Sequence, residues 1–436
     1  KGAPEAVLAR ATRLETELGP QSLDGAARSR LLGDAHALGA EGLRTLALAY
    51  RTLPAAPDDV LATEQDLTVV GLVGLSDELR PEAAEAVRVA QGAGIRVVMV
   101  TGDHQETASA VSRELRIATG EDGIMPGDRL AGLSAEQLGR EVDRHHGYAR
   151  VDPSDKVKIV RAWQGRGEIV AMTGDGVNDA PALHAADIGV AMGSGTDVSR
   201  EAASVVLADD NFATLVRAIG EGRSIFANVR MVVQFLLTTN ACEVLVMTIG
   251  FLVFGGLGEP LLATQILWVN LVTDGLPVLA LAADPSNPGR MRRPPERDRS
   301  IVGARHLWSV LWPACILAAA TLGALVYGHY LAGAPWPRVQ TTVFTTLVGV
   351  QLTYAFSLRA SRGGHPFRGG RLLVLATGVS LALQLAVVYL APAAALFHTV
   401  PLPIGDWLAI AALNALALAA IGLVRARVPG APPPHR

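Results

Sequence analysis

Cysteine is nearly absent: the 436 residues hold two, Cys242 and Cys315. Both fall inside apolar runs, which excludes a disulfide framework and a thiolate metal site. Charge is scarce too, at 18% of residues, against about 25% in an ordinary soluble chain. The two signs nearly cancel, with 38 basic residues, 41 acidic residues and a net charge of −3. Nothing in that balance argues for nucleic acid as a partner. The opening "KGAPEAVLAR" has no initiator methionine and no apolar core after its basic residue, so it is not a secretory signal. It reads as starting inside a motif, and the expectation is a fragment of a longer protein.

Apolar residues are abundant, at 50%, and unevenly spread. Up to about residue 222 charges alternate with short apolar runs, as in a soluble domain. Beyond it, six stretches near 230–254, 261–283, 307–331, 339–358, 372–390 and 407–424 are long enough to cross a bilayer. Arg290, Arg292, Arg293, Arg297, Arg299 and Arg305 crowd one connecting loop, and Arg359, Arg362, Arg368 and Arg371 another. Arg425 and Arg427 follow the last stretch, and the alternate loops carry almost no positive charge. The positive-inside rule then predicts a multi-pass protein of the lipid bilayer with its soluble head on the cytoplasmic side. An alanine- and arginine-rich composition fits a bacterial plasma membrane.

Within residues 63–222 the pattern is strand, loop, helix, repeated. "LTVVGLVGL" leads to Asp77, "IRVVMV" to Thr101-Gly102-Asp103 and "EIVAMT" to Gly174-Asp175-Gly176, and "IGVAMG" and "SVVLA" read as further buried strands. Near-continuous apolar runs between helical segments predict a parallel α/β sheet covered on both faces. Ligands in such sheets bind beyond the carboxyl ends of the strands, where Asp77, Thr101, Asp103, Asp175 and Asp179 fall. Carboxylates beside glycines suit a hard cation such as Mg²⁺ bridging to a phosphate. Lys156 of "DPSDKVKIV" is placed to supply positive charge to a transferring phosphoryl group. Taken singly, Asp103 or Asp179 reads equally well as a helix cap; the set together does not.

Five strings in order, "KGAPE", "DELRPE", "VTGDHQETA", "DPSDK" and "TGDGVNDAPAL", resemble the cytoplasmic motifs of P-type cation-transporting ATPases. The resemblance implies a Rossmann-like α/β phosphorylation domain of haloacid dehalogenase (HAD) type over 63–222, lacking its nucleophile segment. It implies the carboxyl-terminal part of a nucleotide-binding domain over 1–62, an all-α transmembrane domain of six helices over 223–428, and a disordered proline-rich tail over 429–436. ATP and Mg²⁺ are implied as ligands. Lys1 would line the adenine pocket, Arg44 would reach the phosphates and Arg150 would lie close by. Thr101, Gly102 and Asp103 would contact the phosphoryl group with Lys156 stabilising its charge, while Asp175 would hold Mg²⁺ and Asn178 and Asp179 arrange the site. The family's aspartate nucleophile lies in a DKTGT motif, and no such string occurs here. An aspartyl-phosphate cycle needs that carboxylate, so this chain alone is expected to be inactive, and the missing amino-terminal half becomes its expected partner.

The first two apolar stretches carry polar groups that hydrocarbon tolerates poorly. Asn240 and Glu243 stand three apart, and Asn270, Thr273 and Asp274 stand at i, i+3 and i+4 on one helical face. A carboxylate at mid-bilayer costs about 2.5–3.5 kcal/mol on insertion scales, so it is seldom there idly. Gly275 and Pro277 should loosen the helix and free carbonyl oxygens. Carboxylate, amide, hydroxyl and carbonyl oxygens together suit a hard cation; interhelical hydrogen bonding is the competing reading for Asn240 and Thr273. "QILWVNLVTDGLP" and "TTNACEVLV" resemble the calcium-pump branch (type II), which implies Asn240, Glu243, Asn270, Thr273 and Asp274 as Ca²⁺ ligands. Gln351 is a further candidate where some two-site pumps have glutamate; it favours one ion or a weakened second site, whereas retention of Glu243 favours two. The alternatives are a pump for Mn²⁺, Na⁺ or H⁺, or a membrane-anchored HAD-type phosphohydrolase. His329, His398 and the pair His145-His146 read as surface or interfacial, and Trp268, Trp308, Trp312, Trp336 and Trp407 as interfacial belt or bundle packing.

Overall fold

The computed structural model describes residues 1–41, 43–53, 63–75, 79–118, 123–254, 256, 258–295, 304–360 and 370–427, with backbone alone at 44, 288 and 304–306. The chain divides into two units, Lys1–Ile219 with Met291–Pro295, and Gly220–Arg290 with Glu296–Arg436.

In the first unit, strands β1 (Ala11–Leu14), β2 (Gln21–Ser22), β3 (Arg44–Tyr50) and β4 (Leu67–Leu75) form a sheet of order β2-β1-β4-β3. The helix Gly25–Ala40 starts at Asp24, whose carboxylate accepts the Ala27 N–H at 2.7 Å. Leu8, Ala11, Leu23 and Val69 make the core beneath this sheet. β4 is the "LTVVGLVGL" that the sequence places in the parallel sheet of the head. It runs instead antiparallel to β3, from Arg44 opposite Leu75 to Tyr50 opposite Thr68, and parallel to β1. The cause is local: "RTLALAY" is a strand of matching length close in sequence, and an antiparallel ladder needs no crossover. A boundary at residue 62 therefore falls just short of a strand that belongs with the residues before it.

Six more strands are parallel, in two groups. β5 (Met99–Val100), β6 (Ile124–Pro126) and β7 (Gly147–Ala149) take the order β5-β7-β6, and β8 (Ala171–Gly174), β9 (Ile188–Met192) and β10 (Val205–Leu207) the order β10-β9-β8. The expected single sheet is thus in two parts, with no ladder between β5 and β8 among the described residues. The helix Pro153–Gly165 holds the parts together: its Ile159 and Trp163 share one cluster with Val98 and Val100 by β5 and Val170 by β8. The central strand β7 is fully buried, whereas β5 and the outer edge β8 are only half-covered. His145, read as a surface residue, is buried beside the Tyr148 ring because it leads into β7.

Six helices among the described residues are long and apolar enough to cross a membrane: Phe212–Phe254, which begins in the last residues of the first unit, and Ala263–Ala282, Leu307–Leu331, Trp336–Ala360, Arg371–Tyr389 and Ile404–Arg427 in the second. They are called the first to sixth spans below. The first is a single helix of 43 residues, about 65 Å at 1.5 Å per residue, against a hydrocarbon layer of about 30 Å. Its start precedes the predicted one because Arg217, Glu221, Arg223 and Arg230 extend the helix past the apolar stretch. The fourth span is the most enclosed. Thr341, Thr342, Thr346 and Thr353 satisfy their hydroxyls on the carbonyls of Pro337, Arg338, Thr342 and Gly349, at 2.7–3.1 Å. The predicted tail 429–436 and the side chains of Arg297, Arg299, Arg305, Arg362 and Arg368 lie outside the described residues.

Two buried ion pairs fix the ends of the spans. Arg359 Nε donates to Asp284 Oδ1 at 2.7 Å, and Arg338 grips both carboxylate oxygens of Asp406 at 2.8 Å. Asp406 is 2% exposed, so truncating its partner strands a charge out of water. Arg338→Ala should leave the Asp406 carboxylate unpaired and destabilise the bundle by about 3–5 kcal/mol, read as a lowered thermal unfolding midpoint in detergent. Tyr327→Phe, which removes only a 3.4 Å contact to the same carboxylate, should leave that midpoint nearly unchanged.

Candidate functional site

Two loops at strand ends carry the candidate phosphoryl-site residues. Thr101 follows β5 and donates its N–H to the Tyr148 carbonyl at 3.0 Å. Its hydroxyl donates to Asp103 Oδ2 at 2.9 Å and accepts the Asp103 N–H at 3.1 Å, which closes a tight turn around Gly102. A Cβ at Gly102 would meet nothing within 4 Å, so the turn presents open backbone. The neighbouring Arg150 sits in the left-handed region at φ 51°. The position suits close approach: its carbonyl passes Gly127 so tightly that a Cβ there would lie 2.0 Å away. Burial pushes the Tyr148 phenol above its ordinary range.

The second loop follows β8. Asp179 is buried and fully engaged: Oδ1 accepts Lys156 Nζ at 2.5 Å, and Oδ2 accepts the N–H groups of Asp175 and Gly176 at 3.2 Å each. Gly174 is required here, since a Cβ would sit 2.5 Å from that of Asp179. Neither Asp103 nor Asp179 makes a side-chain cap on the α-helix that follows it; each fastens its own loop instead. Asp175 and Asn178 are exposed, and the Asp175 carboxylate has no hydrogen-bond partner among the described residues. That leaves Asp175 free to take a cation, with Asp179 positioned beneath it by Lys156.

The connection 150–156 ties the two loops together. Arg150 N–H donates to Asp103 O at 2.9 Å, Val151 N–H to Thr101 O at 3.1 Å, and Lys156 to Asp179. The Arg150 guanidinium itself is held by His104 at 2.6 Å and lies 3.6 Å from Glu5. Lys1 is exposed, next to the Gly2–Ala47 bridge onto β3. Arg44 opens β3 with its side chain outside the described residues, as is all of Asp77.

In the second unit the first, second and fourth spans bring two carboxylates into one polar cluster. Glu243 accepts Asn270 Nδ2 at 3.1 Å on one oxygen and Gln351 Nε2 at 2.9 Å on the other. Asp274 accepts the Thr239 hydroxyl at 2.8 Å on Oδ2, while Oδ1 has no partner among the described residues. Thr273 Oγ1 and Gln351 Oε1 are buried and equally unmet. The second span is not a regular helix here: Val269–Thr273 is a π-helical turn, with Asp274 N–H donating five residues back to Val269 O at 2.8 Å. Such turns concentrate at functional sites. Pro277 cannot donate to the Thr273 carbonyl four residues before it, so the regular helical donor to that oxygen is missing.

Asn240 does not join the cluster. It is exposed and donates to its own helix at Leu236 O, 2.7 Å. Thr239 takes a place there that the sequence reading overlooked, because a threonine in a membrane helix is commonplace; its position four residues before Glu243, on the same face, was the available signal. Among the described residues no three His, Cys, Asp or Glu side chains gather as a metal group. A cation here would be held by two carboxylates with amide, hydroxyl and carbonyl oxygens.

Comparison with known proteins gives matches over most of the chain. Residues 258–427 match a family described as cation transporting ATPase, C-terminus, and residues 4–187 and 157–219 match haloacid dehalogenase-like hydrolases. The "Calcium-transporting ATPase" of Bacillus subtilis is 41% identical over 422 residues, covering 95% of this chain and 47% of that protein. "Calcium-transporting ATPase 1" of Bacillus cereus is 37% identical over 93% of this chain and 48% of its own length. The "Endoplasmic reticulum calcium ATPase srcA" of Aspergillus fumigatus is 34% identical over 95% and 48%. The chain spans about half the length of the curated relatives it matches.

The crowding at Gly174 makes a direct test of the β8 loop. Gly174→Ala should force Asp179 off its backbone donors and destabilise the first unit by about 1–3 kcal/mol, seen as a lowered unfolding midpoint. Gly176→Ala meets its nearest neighbour at 3.5 Å, an ordinary contact, and should be far milder.

Proposed function

This chain belongs to the P-type cation-transporting ATPase family, and on that premise we propose that it is part of a pump that moves Ca²⁺ across a membrane at the expense of ATP. The observation that carries the proposal is the pair Glu243 and Asp274. Both are buried within membrane-spanning helices, and both are met only by neutral hydrogen-bond donors. Carboxylates so placed gain most from a cation that replaces those donors. Calcium is favoured over other ions by the number and hardness of the oxygens and by the names of the relatives. Gln351 lends its amide to Glu243 rather than adding a third carboxylate, which favours one ion per cycle.

In the first unit, Mg²⁺ would be held by Asp175, the one carboxylate of its loop left unengaged. Mg²⁺ supplies charge neutralisation at the phosphates. Lys156 orients Asp179 and adds positive charge beside the transferring group, and Thr101, Gly102 and Asp103 offer hydroxyl and backbone donors to its oxygens. Residues 1–75 we assign to the nucleotide-binding domain, with Lys1, Arg44 and Arg150 toward ATP. The aspartate nucleophile is supplied from outside these 436 residues, since the chain contains no DKTGT. Asn240 and Asn270, polar and exposed on membrane helices, fit a site completed by another span. The arginine-rich loops put the head in the cytoplasm, in keeping with a bacterial plasma membrane.

The test is ATPase activity against free Ca²⁺ in vesicles, using the gene extended to include the nucleophile. Stimulation at micromolar Ca²⁺ is expected, with Glu243→Gln and Asp274→Asn each abolishing it; a response to Mn²⁺, Na⁺ or pH alone would overturn the choice of ion. In the same assay Thr239→Val should lower the half-saturating Ca²⁺ concentration on the order of tenfold, since the empty site loses a hydrogen bond to a charged group, worth about 1.5–3 kcal/mol, that the cation otherwise has to replace. Thr239→Ser, which keeps the hydroxyl, should restore the original value.

A further inference from the structure

The fifth span carries a polar stripe that the cation cluster does not use. Its buried face runs through Leu373, Thr377, Ser380, Gln384 and Val387, one residue every turn. Gln384 is fully buried and has partners: its Oε1 accepts Trp268 Nε1 at 3.2 Å, and its Nε2 lies 3.4 Å from Thr345 Oγ1. Ser380 is 1% exposed, and neither its hydroxyl nor that of Thr377 has a hydrogen-bond partner among the described residues.

These two hydroxyls could have bonded to the carbonyl four residues back, as the threonines of the fourth span do. They do not. The fifth span packs against Gly275–Ala282 and against the fourth span. Trp268, near the start of the second span, meets Gln384, near the end of the fifth, so the two run antiparallel. Ser380 lies one turn, about 6 Å, from Gln384, which brings it level with Thr273. Thr273 contributes a buried hydroxyl that is also unmet, and a carbonyl that Pro277 cannot serve. Three buried hydroxyls left without partners would cost about 1–3 kcal/mol each.

We propose that Thr273, Thr377, Ser380 and Gln384 line a hydrated seam between the second and fifth spans, and that its ligand is water. Water is the molecule that these groups suit: it needs two to four polar partners, and donor–acceptor hydroxyls, a carbonyl and an amide supply them without charge. Carboxylates are absent from the stripe, so it offers a cation no counter-charge, and the hydroxyls are too polar for a lipid tail. If the transport reading holds, the seam brings water oxygen to the side of Asp274, one residue from Thr273. The water site itself stands without that reading.

Accessibility to a small cationic thiol reagent, 2-aminoethyl methanethiosulfonate, tests it in the full-length protein in its membrane. Ser380→Cys and Thr377→Cys should be labelled on the order of tenfold faster than Val387→Cys, a dry position on the same stripe, because a charged reagent does not enter an apolar interior. Labelling peptide by peptide, read by mass spectrometry, separates these sites from the native Cys242 and Cys315. Equal rates at all three would overturn the proposal. Should a cysteine variant fail to accumulate, X-ray hydroxyl-radical footprinting of the unsubstituted protein decides: Trp268, beside the seam, should be oxidised well above Trp312, a likewise partly buried tryptophan on the third span, and equal oxidation would overturn it. Neither measurement needs ATP or Ca²⁺. A dry seam would leave the transport proposal intact, and an enzyme indifferent to Ca²⁺ would leave the seam standing.

Discussion

A carboxylate taken out of water must be met by something positive or by several donors, and this chain answers that demand differently in its two units. Asp179 is met by a lysine and two backbone N–H groups, so the loop after β8 is complete as it stands. At the ends of the spans Asp284 and Asp406 are met by arginines. Glu243 and Asp274 receive only amide and hydroxyl donors, and one oxygen of Asp274 receives none among the described residues. The chain thus furnishes arginines to membrane carboxylates where the need is structural, and withholds them at one cluster. Withholding a fixed cation is what an exchangeable one requires.

The backbone is arranged to the same end. A π-helical turn immediately before Asp274 and a proline three residues after it both interrupt the regular ladder of the second span. The interruption costs stability, since released carbonyls sit in an apolar medium, but it puts main-chain oxygens beside the carboxylates. In the head, the turn at Thr101–Asp103 serves the corresponding purpose by presenting open backbone at Gly102. Rigid strands and helices hold both sites, and irregular backbone stands at Thr101–Asp103 and before Asp274, where ligand would be touched.

Much of this was legible from residue order. The strand-end motifs and the placement of polar residues in the first two spans follow from chemistry that tolerates few substitutes, whereas the contact of Lys156 with Asp179 appears only in the structure. What escaped was relational. β4 looks like any buried strand, and only the ladder with β3 shows where it pairs. Thr239 and Asn240 stand four and three residues before Glu243, so a helical wheel puts both near its face, and only the contacts show that Thr239 meets Asp274 while Asn240 turns to its own helix. His145 reads as polar until β7 is seen to be the central strand of its group, which buries what leads into it.

The surfaces left half-covered are opposite in kind. In the first unit the outer edge of β8 and the short strand β5 are apolar yet only partly buried, and an open strand edge invites pairing. In the membrane unit Asn240 and Asn270 are amides exposed on helices whose other outward residues, such as Val244, Leu271 and Leu279, suit lipid. Apolar edges in the head and amides on a lipid-facing flank are each poorly matched to their surroundings, and each lies beside the residues that would touch phosphate or cation. A strand between β5 and β8 would remove the first mismatch and bring a residue to the rim shared by Thr101 and Asp175. A polar span over Asn240 and Asn270 would remove the second and add oxygens to Glu243. Both sites therefore fit the same physical reading, in which the chemistry is assembled at a junction with further polypeptide rather than inside one fold.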